Sequence, residues 1–195
     1  MPDKDLLLIV DMQNVYLPGY PWACPSLPSA ICRIRMLLNS PSCGKHYDVI
    51  FTRHIASRQP QGRWKLYNRN TRSVNQDPFL CQLIPSFQPY LEIWPCYDKS
   101  VYSACSIRQI TERLTQYRRI LLCGVVAECC ILATAEDLID TGVQLIYLKD
   151  AVAGQEPEYE HIICRLMERF VPVHTLVMTA EDYLACFSIH STQSE

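Results

Sequence analysis

Two adjacent thiols, Cys129 and Cys130, follow the apolar run Ile120-Leu121-Leu122-Cys123 and its Gly124. The segment from Cys123 through Gly124-Val125-Val126-Ala127-Glu128 to Cys130 reads as the end of a strand entering a helix. A cysteine in a first helical turn meets the positive end of the helix dipole, which lowers its pKa and favours the thiolate. Backbone N–H groups left free there can hold an oxyanion. Nucleophilic attack on a carbonyl is the chemistry that such a pattern serves. Residue physics does not choose between the thiols, because neighbours on a helix point about 100° apart at ~3.6 residues per turn.

Three charged residues stand at comparable places. Asp11 comes directly after Leu6-Leu7-Leu8-Ile9-Val10. Burial there would raise its pKa unless a cation lies nearby; the plainer reading is a turn or capping aspartate. Asp150 also ends an apolar strand, has no partner in view and reads as structural. Lys99 lies in Tyr97-Asp98-Lys99-Ser100-Val101-Tyr102-Ser103-Ala104, just before a helix. Most lysines are surface charges. Beside an acid and a thiol, however, it would keep the acid ionised and favour the thiolate.

The elements that must position these groups follow from hydrophobic periodicity. Buried strands are expected at Asp5–Val10, Asp48–Phe51, Ile120–Cys123, Gln144–Leu148 and Val173–Val177, with a further strand at Leu91–Trp94. Helices are expected around Ala30–Leu38, started by Ser26 and Pro28, then at Ser106–Tyr117, Glu128–Thr141 and Glu156–Phe170. Gly142 closes the third. Thr179 with Asp182 resembles a capping box that opens a last helix. This alternation predicts one Rossmann-like, three-layer α/β domain, with a mainly parallel six-stranded sheet and helices on both faces. Its expected span is residues 1–187, with a flexible tail at 188–195. The polar stretch Ala56–Gln76 is too long for a plain connection. It reads equally as a binding loop or lid and as a solvated excursion.

Composition narrows the function. The 195 residues are 49% hydrophobic and 19% charged, with net charge −2. No concentrated basic face suggests nucleic acid, and no apolar run reaches membrane-spanning length. The first apolar run is too short and too acidic in its flanks for a secretory signal. A cytoplasmic protein acting on a small molecule, with neither membrane nor nucleic-acid partner, is the expectation. Eleven cysteines form an odd set with no C-x-x-C spacing, so most read as small buried hydrophobes.

Taken together, the segments resemble the isochorismatase-like cysteine hydrolases, over about Leu6 to Leu184. Asp11-Met12-Gln13-Asn14-Val15-Tyr16 is similar to D-x-Q-N-x-F. Lys99-Ser100-Val101-Tyr102-Ser103-Ala104-Cys105 is similar to K-x-x-x-S-A-F. Gly124 to Ile131 is similar to G-V-x-T-[DE]-x-C-V, followed by Thr134-Ala135, and Asp150-Ala151 matches a strand-end D-A. The resemblance implies an Asp11–Lys99–Cys130 triad, with Cys130 rather than Cys129 as nucleophile. It also implies a cis peptide at Val126–Ala127 and an oxyanion site made by the N–H groups of Ala127 and Cys130. Family members often assemble, so a homo-oligomer is expected. Zinc-dependent members carry D-x-H after the second strand, but here Thr52 is followed by Arg53-His54-Ile55-Ala56. No catalytic metal and no cofactor are therefore expected. Tyr16, His54 and Trp64 are candidate pocket residues, and Cys105, in place of an aromatic, is expected to reshape one wall. Amide hydrolysis through a thioester leads the readings. A non-catalytic scaffold and a vinyl-ether hydrolase are the alternatives.

Overall fold

The computed structural model describes residues 2–188. The expected tail at 188–195 lies almost wholly outside them. Strands β1 (Asp5–Val10), β2 (Tyr47–His54), β3 (Cys96–Lys99), β4 (Arg119–Val125), β5 (Gln144–Ala153) and β6 (Thr175–Met178) form one sheet. Their order is β3-β2-β1-β4-β5-β6 and every pairing is parallel. The chain starts in the centre, winds to one edge, then returns to wind outward on the other side. Strand order therefore reverses between β1 and β4, and such sheets bind ligands beyond the strand carboxyl ends at this point.

The pleat divides the apolar residues between two layers. Leu7 and Ile9 of β1 point with Leu121, Cys123, Ile146 and Leu148 to one face. There they meet α1 (Leu27–Leu38) and α8 (Ala180–Ser188). Leu6, Leu8 and Val10 point with Ile120, Leu122, Leu145 and Tyr147 to the other face. That face is covered by α5 (Arg108–Thr111), α6 (Leu132–Asp140) and α7 (Pro157–Glu168). All of β1 is buried, as a strand covered on both faces requires. The short helices α2 (Trp64–Asn70), α3 (Arg72–Asn75) and α4 (Pro78–Cys81) lie between β2 and β3. Among the described residues no helix is long and apolar enough to cross a membrane.

The structure corrects the elements expected at two places. Ser106–Tyr117 is not one helix: a 3₁₀ turn at Ala104–Ser106, α5, and a second 3₁₀ turn at Leu114–Gln116 share that span. Ile107, Ile110 and Leu114 are buried all the same, since three-residue turns also return every third side chain to one face. The strand expected at Leu91–Trp94 lies at Cys96–Lys99, after a 3₁₀ segment Pro85–Glu92. This strand is a sheet edge and only its last residue is fully buried, so its apolar signal is weak. The capping box is present: the Asp182 backbone N–H donates to Thr179 Oγ1 at 3.0 Å, and the Thr179 N–H to Asp182 Oδ2 at 3.3 Å.

At the amino-terminal edge of the sheet Asp5 is fully buried. It accepts from Arg119 at 2.6 Å, Arg118 at 3.1 Å and the Tyr183 hydroxyl at 2.9 Å. Burial alone would raise its pKa, but the two guanidiniums and the hydroxyl outweigh it and hold the carboxyl below its ordinary value. The stability it contributes is complete above the unfolded pKa of about 3.9 and is lost as pH falls through the lower folded value. Asp5→Asn should cost about 1.5–3 kcal/mol at pH 7. It should also flatten the loss of stability below about pH 4, where the unfolded chain takes up the Asp5 proton before the folded one does. Urea unfolding at several pH values checks both.

Candidate active site

Asp11 leaves β1 in the left-handed region, with φ of 53°. A non-glycine residue there costs of order 1 kcal/mol and persists only where its surroundings hold it. The Asp11 N–H donates to the Thr52 carbonyl at 3.1 Å, and the Thr52 hydroxyl donates to Asp11 Oδ1 at 2.8 Å. The other carboxylate oxygen, Oδ2, lies 2.6 Å from Lys99 Nζ, and neither side chain is exposed. Lys99 comes from the end of β3, opposite His54 in the pairing with β2. Its ammonium also donates to Cys130 Sγ at 3.3 Å and to the Val101 carbonyl at 3.1 Å.

Cys130 arrives from the other side of the switch point. At Gly124 the backbone turns with φ of 114°, and a Cβ there would collide with the backbone of Val10. Glycine therefore lets β4 close against β1 just before the site. The chain then enters a π-helical turn, Ala127–Ile131, ahead of α6. The Val126 carbonyl accepts from both Cys129 and Ile131. The cis peptide joins Val125 to Val126, not Val126 to Ala127 as the motif implied. The turn out of β4 is made at Gly124 and the bond right after Val125, one position earlier than expected. Val126 remains at the cavity wall, and Ala127 is fully buried beneath it.

The helix-dipole argument predicted a lowered Cys130 thiol pKa, and the structure reverses that direction. Only 4% of the residue is exposed. Burial pushes the thiol well up, the Asp11 charge pushes the same way, and Lys99 offsets only part. Taking a thiolate out of water disfavours the charged form. Lys99 behaves oppositely. Burial works against its ammonium, but the Asp11 carboxylate against it raises its pKa beyond the ordinary value. Burial thus favours the thiol form of Cys130, and Asp11 the charged form of Lys99.

A cavity of about 300 Å³ opens over Cys130, lined by Tyr16, His54, Tyr67, Tyr102, Cys129 and Gln155 among others. Tyr16 and His54 stand where the sequence reading put them. Trp64 does not line this cavity. It packs at 4.9 Å on the Tyr102 ring and 5.1 Å on the Tyr67 ring, supporting them from behind. Cys105 packs into the core beneath and touches no cavity wall. Asp150 has partners after all, accepting from the Ala180 N–H at 2.8 Å and pairing with Arg33 at 3.2 Å; both are structural. Tyr67 and Thr71, which the sequence reading missed, come from α2 and the residue after it. Their signal is the spacing 64, 67, 71 within the excursion 56–76, one helical face. That excursion is thus a roof over the site. Gln155 is reached through a loop whose Gly154 and Gln155 amides donate to Glu160 at 2.9 Å and Glu128 at 3.1 Å. Among the described residues no three His, Cys, Asp or Glu side chains gather into a metal-binding group.

Comparison with known proteins supplies the family. The isochorismatase domain model matches residues 5–181. The chain belongs to the isochorismatase domain family. The isochorismatase domain-containing protein 2 of Rattus norvegicus is 41% identical over 164 residues, which are 79% of this chain and 60% of that protein. This chain therefore matches about three fifths of the rat relative's length. A cysteine hydrolase from Pseudomonas syringae pv. phaseolicola 1448A shares the fold at TM-score 0.77 and 21% identity, covering 95% of this chain and 92% of its own. An N-carbamoylsarcosine amidase from Thermoplasma acidophilum does so at TM-score 0.69 and 19% identity, covering 91% and 96%.

The geometry fixes two expected outcomes. Iodoacetamide near pH 7.5 should label the exposed Cys32 and Cys186 well before Cys130, as timed peptide mapping would report; Cys130 labelled first would mean that its thiol is ionised at rest. Lys99→Met should lower unfolding stability by about 3–5 kcal/mol, because it leaves the Asp11 charge buried alone. The double variant Asp11→Asn with Lys99→Met should recover part of that loss.

Proposed function

We propose that this chain is a hydrolase that cleaves an amide-type C–N bond of a small molecule through a thioester on Cys130. The observation that carries this reading is the buried Lys99 ammonium, 2.6 Å from Asp11 Oδ2 and 3.3 Å from the Sγ of Cys130, which lines the cavity. A protonated thiol needs a base at the moment of attack, and Asp11 is the carboxylate in place.

The cycle runs as follows from these positions. Asp11 takes the thiol proton as Sγ forms its bond to the substrate carbonyl carbon. Lys99 stabilises the negative charge passing between the two groups. The Ala127 and Cys130 N–H groups, both in the π-helical turn, hold the tetrahedral oxyanion. Asp11 returns the proton to the leaving nitrogen as the C–N bond breaks, which leaves an acyl thioester and a free amine or ammonia. Asp11 then takes a proton from water, whose oxygen attacks the thioester carbonyl. The C–S bond breaks, the carboxylic acid leaves and the thiol is restored.

The test is a panel of small amides with intact-mass detection of an acyl adduct on Cys130. Cys130→Ala and Asp11→Asn should each lower turnover at least about a thousandfold, as removal of one member of a catalytic unit does. Full turnover in Cys130→Ala would sink the thioester route. It would point instead to vinyl-ether hydrolysis, in which Asp11 donates a proton and no thiol is needed.

A further inference from the structure

His54 stands out among the groups around Cys130 because its hydrogen-bonding capacity is unused. It is 6% exposed and lines the cavity, and its two ring nitrogens, shielded from water, have no hydrogen-bond partner. The Val101 carbonyl nudges the ring toward its charged form without making a bond of good geometry. The residue is not loosely placed. The Gln13 amide clamps its backbone, with Oε1 accepting from the His54 N–H at 2.7 Å and Nε2 donating to the His54 carbonyl at 3.1 Å. The Trp64 and Tyr67 rings flank the imidazole at 6.1 Å and 6.3 Å. A buried polar side chain that is held in place but unpaired calls for a partner.

The rest of the wall says what kind. Burial pushes the hydroxyls of Tyr16, Tyr67 and Tyr102 up, so that they stay protonated. Thr71 and Gln155 add neutral hydrogen-bonding groups. His54 is held below the ordinary imidazole range, chiefly by burial and further by Lys99, with Asp11 opposing. It therefore offers one N–H donor and one bare nitrogen acceptor. Lys99 is fully buried and already engaged with Asp11 and Cys130. Arg63 is exposed and lines a neighbouring cavity of about 280 Å³ that shares Tyr67 and Tyr102. A carboxylate brought against this wall would lose its water and gain no free counter-charge. A flat uncharged group would meet the aromatic faces of Tyr16, Trp22, Tyr67 and Tyr102 and lose little.

We propose that the cavity over Cys130 takes a planar, uncharged amide, and that the His54 imidazole hydrogen-bonds its non-reacting end and so selects it over carboxylate-bearing amides of the same shape. The reacting end rests on the hydrolase reading; the uncharged end rests on the cavity wall alone. Two probes differ only at that end: 3-hydroxybenzamide and 3-carbamoylbenzoate.

The wild-type protein should favour the hydroxybenzamide in kcat/KM by at least about tenfold, the usual discrimination of a single unpaired polar contact. His54→Leu should raise KM for it about tenfold with a smaller change in kcat, and His54→Gln, which keeps a donor and an acceptor, should recover part. Tyr102→Arg should narrow the preference. Calorimetry on Cys130→Ala repeats the comparison without turnover. If the wild type hydrolyses neither probe but Cys130→Ala still binds the hydroxybenzamide in preference, in a way that His54→Leu abolishes, the hydrolase reading fails and the substrate class stands. Equal or tighter binding of the carbamoylbenzoate, an affinity unchanged in His54→Leu, or no binding of either probe at millimolar concentration would overturn the substrate class.

Discussion

Lys99 and Asp11 meet 2.6 Å apart with neither side chain exposed, and either charge buried alone would cost several kcal/mol. The sheet order makes the meeting possible. Lys99 ends β3, Asp11 follows β1, and β2 lies between them. The lysine must span that strand, whose Thr52 orients the carboxylate from beneath. Cys130 is delivered from β4, on the far side of the reversal in strand order. The close approach of β4 to β1 depends on Gly124, where no side chain fits against Val10. Each of these features exists because two opposite charges have to be brought together in a dry place.

That dryness also decides the state of the thiol. The same burial that strengthens the ion pair penalises a third charge and so favours the protonated thiol of Cys130. One net-neutral pair beside one neutral thiol is a cheaper resting arrangement than three charges in a low-dielectric pocket. Burial acts on other thiols of this cysteine-rich chain in the same direction, pushing Cys24 up to about 12 and the half-buried Cys96 up to about 11.

Much of the scaffold was legible in the residues, and the reasons are local. β1 spans Asp5–Val10 as expected because a central strand buried on both faces is apolar throughout. The edge strand β3 was placed wrongly because it lacks that signal, and the broken helical region after Ala104 keeps a periodicity that short turns satisfy as well as a helix does. The choice of Cys130 over Cys129 needed the motif register, since both thiols share one turn. The direction of the thiol pKa was not legible at all. It depends on how much water reaches the sulfur, which is set by Tyr16 and the roof residues from distant parts of the chain. Trp64 was recognised as belonging near the site, but no spacing distinguishes a ring that faces the cavity from one that supports such a ring.

The roof has a further consequence. Helix α2 buries none of its residues, and it is held over the site through ring contacts of Trp64 and Tyr67 with Tyr102 and His54. The reaction centre, by contrast, is anchored in strand ends and cannot vary without unsettling the core. Part of the cavity wall thus sits in a surface layer on which the core does not depend. Sequence drift in residues 56–76, or deliberate grafting there, can reshape the wall at Tyr67 and Thr71 while Tyr16, His54 and the ion pair stay as they are.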